Sequence, residues 1–273
     1  MTACEPRPSS MRMWARQYPR LYGGLRLLWR ALSPFALPNP LPLAPAYARC
    51  VREFLAYRRM PGGDGARWCD WYPALRDRTT VTPVDLNYFY QDTWAAGKIF
   101  TARPKVHVDL GSTALLVGIL SRWTRVISVD VRPLAVALSG LVTCSGTGAA
   151  LPFRDRSIRS LSSLCVLEHI GLGRYGDPID PQGTEKAGAE LQRVLAPGGD
   201  LYLSLPIEKE SRVYFNAHRS FSMTAVTKMM SELDLEEAVL VQGHRKLSPL
   251  EIDAFDFSAP MVFGLFHFRR HTG

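Results

Sequence analysis

The chain has 273 residues and a formal net charge of +8, with 33 lysines and arginines against 25 aspartates and glutamates. Its hydrophobic content of 47% excludes wholesale disorder, and its length accommodates one domain of roughly 200 residues with an extension. The apolar runs are broken by Arg, Pro or Gly well short of the roughly 20 residues that a membrane span needs.

The basic charge lies in the N-terminal part of the chain. Residues 1–60 contain ten arginines and no lysine against two acids, and the other 213 residues carry 23 basic and 23 acidic side chains. Between Arg12 and Arg30 the arginines alternate with Trp, Tyr and Leu. This pattern suits a helix lying on an anionic membrane surface, and equally a helix packed on the rest of the protein with its arginines in water. No RNA motif accompanies the charge, so we do not expect nucleic acid as a partner.

The five cysteines are widely spaced and never form a CxxC pair. Their odd number and their spacing favour reduced thiols and argue against a zinc site. We therefore expect a cytoplasmic protein, peripheral to the inner membrane face if the arginine-rich arm contacts lipid.

Composition divides the chain into three zones. Residues 1–48 form a basic, aromatic and proline-rich arm, and five prolines between positions 34 and 45 exclude a continuous helix there. Residues 49–104 form a helical cap or lid, with helices predicted near 47–59 and 85–100. Residues 105–273 form an α/β domain.

In the third zone, short β-rich runs alternate with helical stretches, which is typical of a doubly wound α/β sheet. The predicted strands, in chain order, cover residues 106–110, 125–130, 141–144, 158–166, 200–206, 237–242 and 260–269. The predicted helices cover residues 113–123, a short stretch from about 133, 184–195 and 223–233.

The ends of the first two strands predict a nucleotide-type site. Ligands of open α/β sheets bind at the carboxyl ends of the strands. The first strand ends in Asp109-Leu110-Gly111-Ser112, where Gly111 permits a tight turn and the next helix begins. The second strand ends in Asp130, about 20 residues further on, where an acid can accept both hydroxyls of a ribose.

Three further motifs identify the fold. They are the LPF-x-D-x-S-I sequence at residues 151–158, VLEHI at 166–170 and RVLAPGGDL at 193–201. Together they resemble the class I S-adenosylmethionine-dependent methyltransferases. The resemblance implies a Rossmann-like sheet of seven strands, mixed because the last strand is antiparallel, with an N-terminal helical extension. It also implies S-adenosyl-L-methionine as the cofactor.

A narrower resemblance covers roughly residues 70–222. The string EHIGLGRYGDPIDP at residues 168–181 is its most distinctive part. It is similar to a methyltransferase-like family of unknown function found in bacteria, often among glycan-assembly genes, and in nematodes. The resemblance implies no particular acceptor.

Carried over position by position, the superfamily resemblance implies a set of residues that bind the cofactor. They are Asp109, Gly111, Ser112, Asp130, Thr147, Gly148 and Cys165. The sequence departs from the superfamily pattern in two places. Thr113 and Leu115 stand where further glycines are usual in the first loop, and Thr147 stands where an acid is usual.

Methyl transfer to a hydroxyl group needs alignment of the acceptor and a base that takes its proton. The candidates for catalysis are His169, His218 and Asp180. The candidates for acceptor binding are Glu168, Arg174, Tyr175, Asp177 and Arg219.

Plainer interpretations stay open beside these. His169 can simply pack against the cofactor loop, and His218–Arg219 can anchor a structural loop. The aromatic residues Tyr88–Tyr90 and Trp94 can form a lid over the cofactor or belong to the core.

We expect a methyltransferase that acts on an oxygen of a glycan or of a small metabolite. The alternatives are a non-catalytic scaffold in a membrane-associated glycan-assembly complex and a related fold that uses a different nucleotide.

Overall fold

The computed structural model describes residues 43–243, 245–247 and 261–272. They fall into two compact units, of which the first ends at Pro83 and the second begins at Val84. Most of the predicted basic arm, residues 1–42, lies outside the described residues. The predicted three-part division at positions 48 and 104 stays a prediction. Within the described ranges, no helix is both long enough and apolar enough to cross a membrane.

The first unit is held by aromatic packing. Helix α1 (Ala44–Arg58) places Phe54 edge-on against Trp68, with ring centres 4.5 Å apart. Trp71 packs against Tyr47 in the same manner at 5.4 Å. Aromatic pairs in this geometry stabilise by about 0.5–1.5 kcal/mol beyond the area that they bury.

The second unit is built on a central sheet and a separate hairpin. In chain order its strands are β1 (Val106–Leu110), β2 (Arg125–Asp130), β3 (Leu141–Ser145), β4 (Ile158–Leu164), β5 (Leu195–Ile207), β6 (Arg212–Tyr214), β7 (His218–Ser220), β8 (Leu233–Gln242), β9 (Arg245–Leu247) and β10 (Val262–Arg270).

The central sheet has the order β3-β2-β1-β4-β5-β10-β8-β9. Strands β1 to β5 are parallel, and β10 lies antiparallel between β5 and β8. The predicted mixed Rossmann-like sheet with an antiparallel last strand is confirmed. The short edge strand β9 and the β6–β7 hairpin are additions that the sequence pattern did not predict.

The described residues of this unit form the α-helices α2 (Leu86–Ala102), α3 (Ala114–Leu120), α4 (Gly183–Val194) and α5 (Met223–Met229). The helix predicted to begin near Pro133 does not form, and residues 133–138 are irregular. Ten residues connect β2 to the adjacent parallel strand β3. Because a helix rises only about 1.5 Å per residue, so short a connection must run extended to return along the sheet.

Arg193 connects two of the sequence motifs, the LPFRD segment and the RVLAPGGDL segment. Arg193, near the end of α4, donates to the carbonyl oxygens of Leu151 and Phe153 and to the carboxylates of Asp155 and Glu190. The Glu190 carboxylate also accepts the N–H of Leu151 at 2.7 Å. The LPFRD segment is thereby tied to the helix that precedes β5, and the turn before β4 is fixed.

We expect Arg193→Ala to destabilise the protein by about 1–2 kcal/mol, because two backbone carbonyls and two carboxylates lose a shared donor. Denaturant unfolding measures the effect. Arg154→Ala is the matched control, since that guanidinium is exposed on the same segment. Equal stability of the two variants would contradict this role of Arg193.

Candidate functional site

Two adjoining cavities lie at the carboxyl ends of β1, β2 and β4. The first has a volume of about 250 Å³ and the second about 180 Å³. Together they fall within the roughly 300–1,000 Å³ typical of ligand sites. Four residues line both cavities, and thus form a shared wall: Tyr88, Cys165, His169 and Tyr175.

The loop after β1 is held by a buried carboxylate. Asp109 is inaccessible to solvent, and its Oδ2 accepts the N–H of Ser112 at 3.0 Å. Its Oδ1 accepts the hydroxyl of Ser162 on the neighbouring strand at 2.5 Å. Burial raises the pKa of Asp109 to about 6. Ser112 in turn accepts the N–H of Leu164 at 3.1 Å, so both predicted residues shape the loop through contacts within the protein.

A buried histidine, His107, continues this network, and no motif in the sequence marks it as a site residue. His107 Nε2 lies 2.9 Å from Ser162 Oγ, and its Nδ1 lies 2.8 Å from Ser160 Oγ. Because Ser162 donates its proton to Asp109, His107 must donate from Nε2 and accept from Ser160 at Nδ1. Burial lowers the pKa of His107 to about 3, so the ring is neutral.

Thr113 replaces an expected glycine and has a structural use. Its hydroxyl accepts the N–H of Leu116 as the N-cap of α3 and donates to Asp92 on α2 at 2.7 Å. Burial raises the pKa of Asp92. The first loop is therefore fastened to α2 by a side chain that a glycine lacks.

Gly111 and Asp130 lie side by side in the first cavity. Gly111 has φ of 65°, and a Cβ atom there would lie 3.6 Å from Asp130 Oδ2. Asp130 Oδ1 accepts the N–H of Arg132 at 2.7 Å. The other carboxylate oxygen has no hydrogen-bond partner among the described residues, and Asp130 lines the cavity.

The far side of the first cavity is formed by the segment after β3 and by the loop after β4. Thr147 and Gly148 line it, and their cofactor-binding role stays a prediction. Gly148 is closely packed, since a Cβ there would lie 2.6 Å from Ile170 Cδ1. Asp177 also lines this cavity, although its carboxylate accepts the backbone N–H of Gly171 at 2.7 Å. Apolar residues such as Val131 and Ile170 complete the wall.

Cys165 lies at the junction of the two cavities. Its φ of 54° is left-handed, which ends β4 at Leu164. Its thiol donates to Gln91 Oε1 at 2.9 Å, and Ser204 donates to the same oxygen at 3.0 Å. Burial raises the pKa of Cys165 well above its usual value, so the thiol is neutral. Gln91 is buried on the apolar face of α2 that also carries Ala95 and Ile99.

The contacts of His169 indicate which of its ring nitrogens carries the proton. Its Nδ1 lies 2.7 Å from the carbonyl oxygen of Ala217, which only accepts hydrogen bonds, so Nδ1 carries the proton. Nε2 is then a free acceptor, 3.7 Å from Glu168 Oε1. Burial lowers the pKa of His169 to about 4. Arg174 donates to the same Ala217 carbonyl at 2.9 Å.

The second cavity has a mixed lining. Arg174 and His218 face it together with Tyr175 and Glu168, and Phe263 and Met261 supply apolar surface. The guanidinium of Arg174 lies 5.2 Å from the centre of the Tyr175 ring, within cation–π range. Burial lowers the pKa of His218, so this ring is neutral near pH 7.

Three predicted site residues lie outside both cavities: the buried Asp109 described above, Asp180 and Arg219. The Asp180 carboxylate accepts the N–H of Gln182 at 3.0 Å and the ammonium of Lys186 at 2.7 Å. Arg219 is buried, and it donates to the carbonyl oxygen of Ile170 at 2.6 Å. Its remaining contacts, at 3.4 Å, are with the carbonyls of Asp180 and Pro181. Arg219 therefore anchors the loop after β4, which is the plainer interpretation of the two.

The aromatic residues of α2 divide between the site and the core. Tyr88 belongs to the shared wall. Trp94 packs edge-on against Tyr202 and donates to Glu237 Oε1 at 3.0 Å, away from the cavities. Within the described ranges, no group of three or more His, Cys, Asp or Glu side chains is arranged to hold a metal ion.

Comparison with solved structures finds the same fold. The N-methyltransferase NodS from Bradyrhizobium japonicum WM9, in complex with S-adenosyl-L-homocysteine, is 15% identical with a TM-score of 0.50. The match covers 81% of this chain and 98% of NodS. This chain has the class I methyltransferase fold. The [4+2]-cyclase SpnF is 12% identical with a TM-score of 0.51, covering 92% of this chain and 97% of SpnF.

Sequence comparison is less informative. A family model described as a Caenorhabditis protein of unknown function, DUF268, matches residues 155–263. This agrees with the predicted resemblance to a methyltransferase-like family of unknown function. No curated protein matches the chain.

The left-handed turn at Gly111 can be tested directly. We expect Gly111→Ala to destabilise the fold by about 1–2 kcal/mol, the strain of a non-glycine residue in that region. Gly118→Ala, inside α3 with 3.9 Å of clearance to Leu138, should instead stabilise by about 0.5–1 kcal/mol. Thermal unfolding compares the two variants. A destabilisation of the same size at both positions would show that backbone strain is not the cause.

Proposed function

We propose that the chain binds S-adenosylmethionine in the first cavity and transfers its methyl group to an oxygen of an acceptor in the second. The observation that carries this proposal is that the two cavities adjoin and share four lining residues, because ligands that meet at this junction can come within reacting distance. S-adenosylmethionine, when bound, supplies a methyl group on a positively charged sulfur.

The residues of the first cavity suit this cofactor. The unpartnered oxygen of Asp130 can accept ribose hydroxyls, and the left-handed turn at Gly111 lets backbone approach the ligand. Apolar Val131 and Ile170 can pack on an adenine ring, with the Thr147 hydroxyl beside it. Asp109 and Ser112 act by fixing this loop, and Cys165 supplies a neutral thiol at the wall.

The second cavity suits a small acceptor or the end of a larger one. At about 180 Å³ it is smaller than typical ligand sites, so it takes a small metabolite or the terminal unit of a glycan. Arg174 offers a positive charge and Tyr175 a ring face. Two neutral histidines, His169 from the loop after β4 and His218 from β7, line this cavity.

The N-terminal arginines suggest where the enzyme works. We propose that the arm, residues 1–48, attracts the protein to anionic lipid, since it carries six arginines against one acid and the chain after residue 60 is neutral. This proposal concerns location and is independent of the chemistry in the cavities.

The function is tested by titrating S-adenosylhomocysteine and S-adenosylmethionine into the protein by calorimetry. We expect Asp130→Asn to weaken binding of both by about 1–3 kcal/mol, through loss of charge-assisted hydrogen bonds to the ribose. Glu185→Gln, an exposed charge change on α4, is the control and should leave affinity unchanged.

The outcomes separate the alternatives. No binding of either ligand by the intact protein would contradict a methyltransferase and favour a different nucleotide. Tight binding without methyl transfer to any hydroxyl or amine acceptor would favour the non-catalytic scaffold.

Removal of residues 1–42 should abolish sedimentation with vesicles that contain phosphatidylserine and leave cofactor affinity unchanged. Vesicles of phosphatidylcholine alone are the control, because the expected attraction is electrostatic. Retained sedimentation of the truncated protein would show that the arm is not the membrane contact.

A further inference from the structure

Glu168 is the least expected side chain of the site. It is 2% exposed, yet it is a carboxyl group that lines the second cavity. Its Oε2 is buried without a hydrogen-bond partner among the described residues. A buried polar atom left in this way costs roughly 1–3 kcal/mol, and more when the group is charged.

The contacts of the neighbouring residues do not account for this arrangement. Arg174, the nearest source of positive charge, directs its Nη1 to the carbonyl of Ala217 instead. Cys165 directs its thiol to Gln91, although it also lies close enough to Glu168 to lower the pKa of that carboxyl group. Glu168 Oε2 is thus left without a partner in a residue that lines the acceptor cavity, and a destabilising group retained in a cavity is a mark of a functional site.

We propose that Glu168 is the catalytic residue that takes the proton from a hydroxyl group of the acceptor, which makes the acceptor an alcohol or a phenol. This rests on the proposed function. The acceptor oxygen forms a bond to the methyl carbon, the bond from that carbon to sulfur breaks with both electrons kept by sulfur, and the hydroxyl proton moves to the Glu168 carboxylate. Charge balances, because the positive sulfur and the negative carboxylate are both neutralised.

His169 stands beside Glu168 as a neutral ring. Its Nε2 lies 3.7 Å from Glu168 Oε1, and the hydrogen bond of Nδ1 to Ala217 fixes the ring. Burial lowers the pKa of His169 to about 4, well below that of Glu168, so the ring does not compete for the acceptor proton. We assign the role of the base to Glu168 alone.

The surroundings of Glu168 set its pH dependence. The groups that face it are Tyr88 from α2, Cys165 and His169 from its own loop, Arg174 from the next turn and His218 from β7. Burial outweighs Arg174 and raises the pKa of Glu168 to about 8. The base is active when ionised, so turnover should rise with pH and level off above about pH 8.

The same shift has a consequence for stability that needs no acceptor. Because the pKa of Glu168 is higher in the folded state, its contribution to stability is complete below the usual glutamate pKa and is lost as pH rises towards about 8. Glu168→Gln removes this loss. We expect the variant to have a higher Tm than the native protein at pH 8.5 and a similar Tm at pH 5.

The test uses the full chain with Glu168→Gln, Glu168→Asp and the exposed control Glu210→Gln. Labelled methyl transfer from S-adenosylmethionine is measured on matched alcohol, phenol and amine probes, including methyl glucoside, phenol and benzylamine, and on a metabolite extract. Glu168→Gln should lower kcat by at least about 100-fold with cofactor affinity unchanged. Glu168→Asp should regain part of the rate, and Glu210→Gln should behave as the native protein does.

The results distinguish a failure of the base role of Glu168 from a failure of the proposed function. If the native protein methylates a hydroxyl and Glu168→Gln is as fast, Glu168 is not the base and the proposed function stands alone. If only the amine is methylated, both the base role of Glu168 and the oxygen acceptor of the proposed function are wrong, and only cofactor use remains. A lower Tm for Glu168→Gln at pH 8.5 would show a structural carboxylate and would overturn the inference without any acceptor. No cofactor binding by the native protein would remove the proposed function and this inference together.

Discussion

The buried carboxylate of Asp109 is the interaction on which the whole site depends. It joins β1 to β4 through Ser162 and folds the first loop through Ser112. A charge or polar group at this depth is tolerated because each oxygen is satisfied, and His107 extends the same chain of donors beneath it. The turn at Gly111 and the start of α3 follow from that fixed point.

Side chains of helix α2 hold the loop after β1, which contains a single glycine, Gly111. Asp92 fastens Thr113, and Gln91 reaches Cys165 and Ser204 on two strands of the sheet. A loop rich in glycine gains its conformation from backbone freedom, whereas this loop gains it from side-chain hydrogen bonds to a neighbouring helix. The rigidity of the cavity is therefore distributed between the sheet and a segment that precedes it in the chain.

Much of this arrangement was predictable, because strand periodicity and turn residues are local signals. The bounds of β1 and β2 agree with the prediction at both ends, and Gly111, Asp130 and Gly148 line the expected cavity. The loop of residues 168–181 shows the limit. It holds three acids, of which Asp177 and Asp180 accept backbone N–H groups while Glu168 turns into the cavity. The bonds of Asp177 and Asp180 lie within the loop or next to it, whereas His169, beside Glu168, contacts Ala217 of the β6–β7 hairpin 48 positions away, and no spacing rule encodes that contact.

The two cavities share a wall, which would couple ligands bound in them. Tyr88, Cys165, His169 and Tyr175 line both cavities, so a ligand that ordered these side chains in one cavity would change the surface offered by the other. Thermodynamic linkage makes this reciprocal: the factor by which one ligand changes the affinity of its neighbour is the same in either direction. The same four side chains would thus both separate the two cavities and link the affinities of the ligands bound in them.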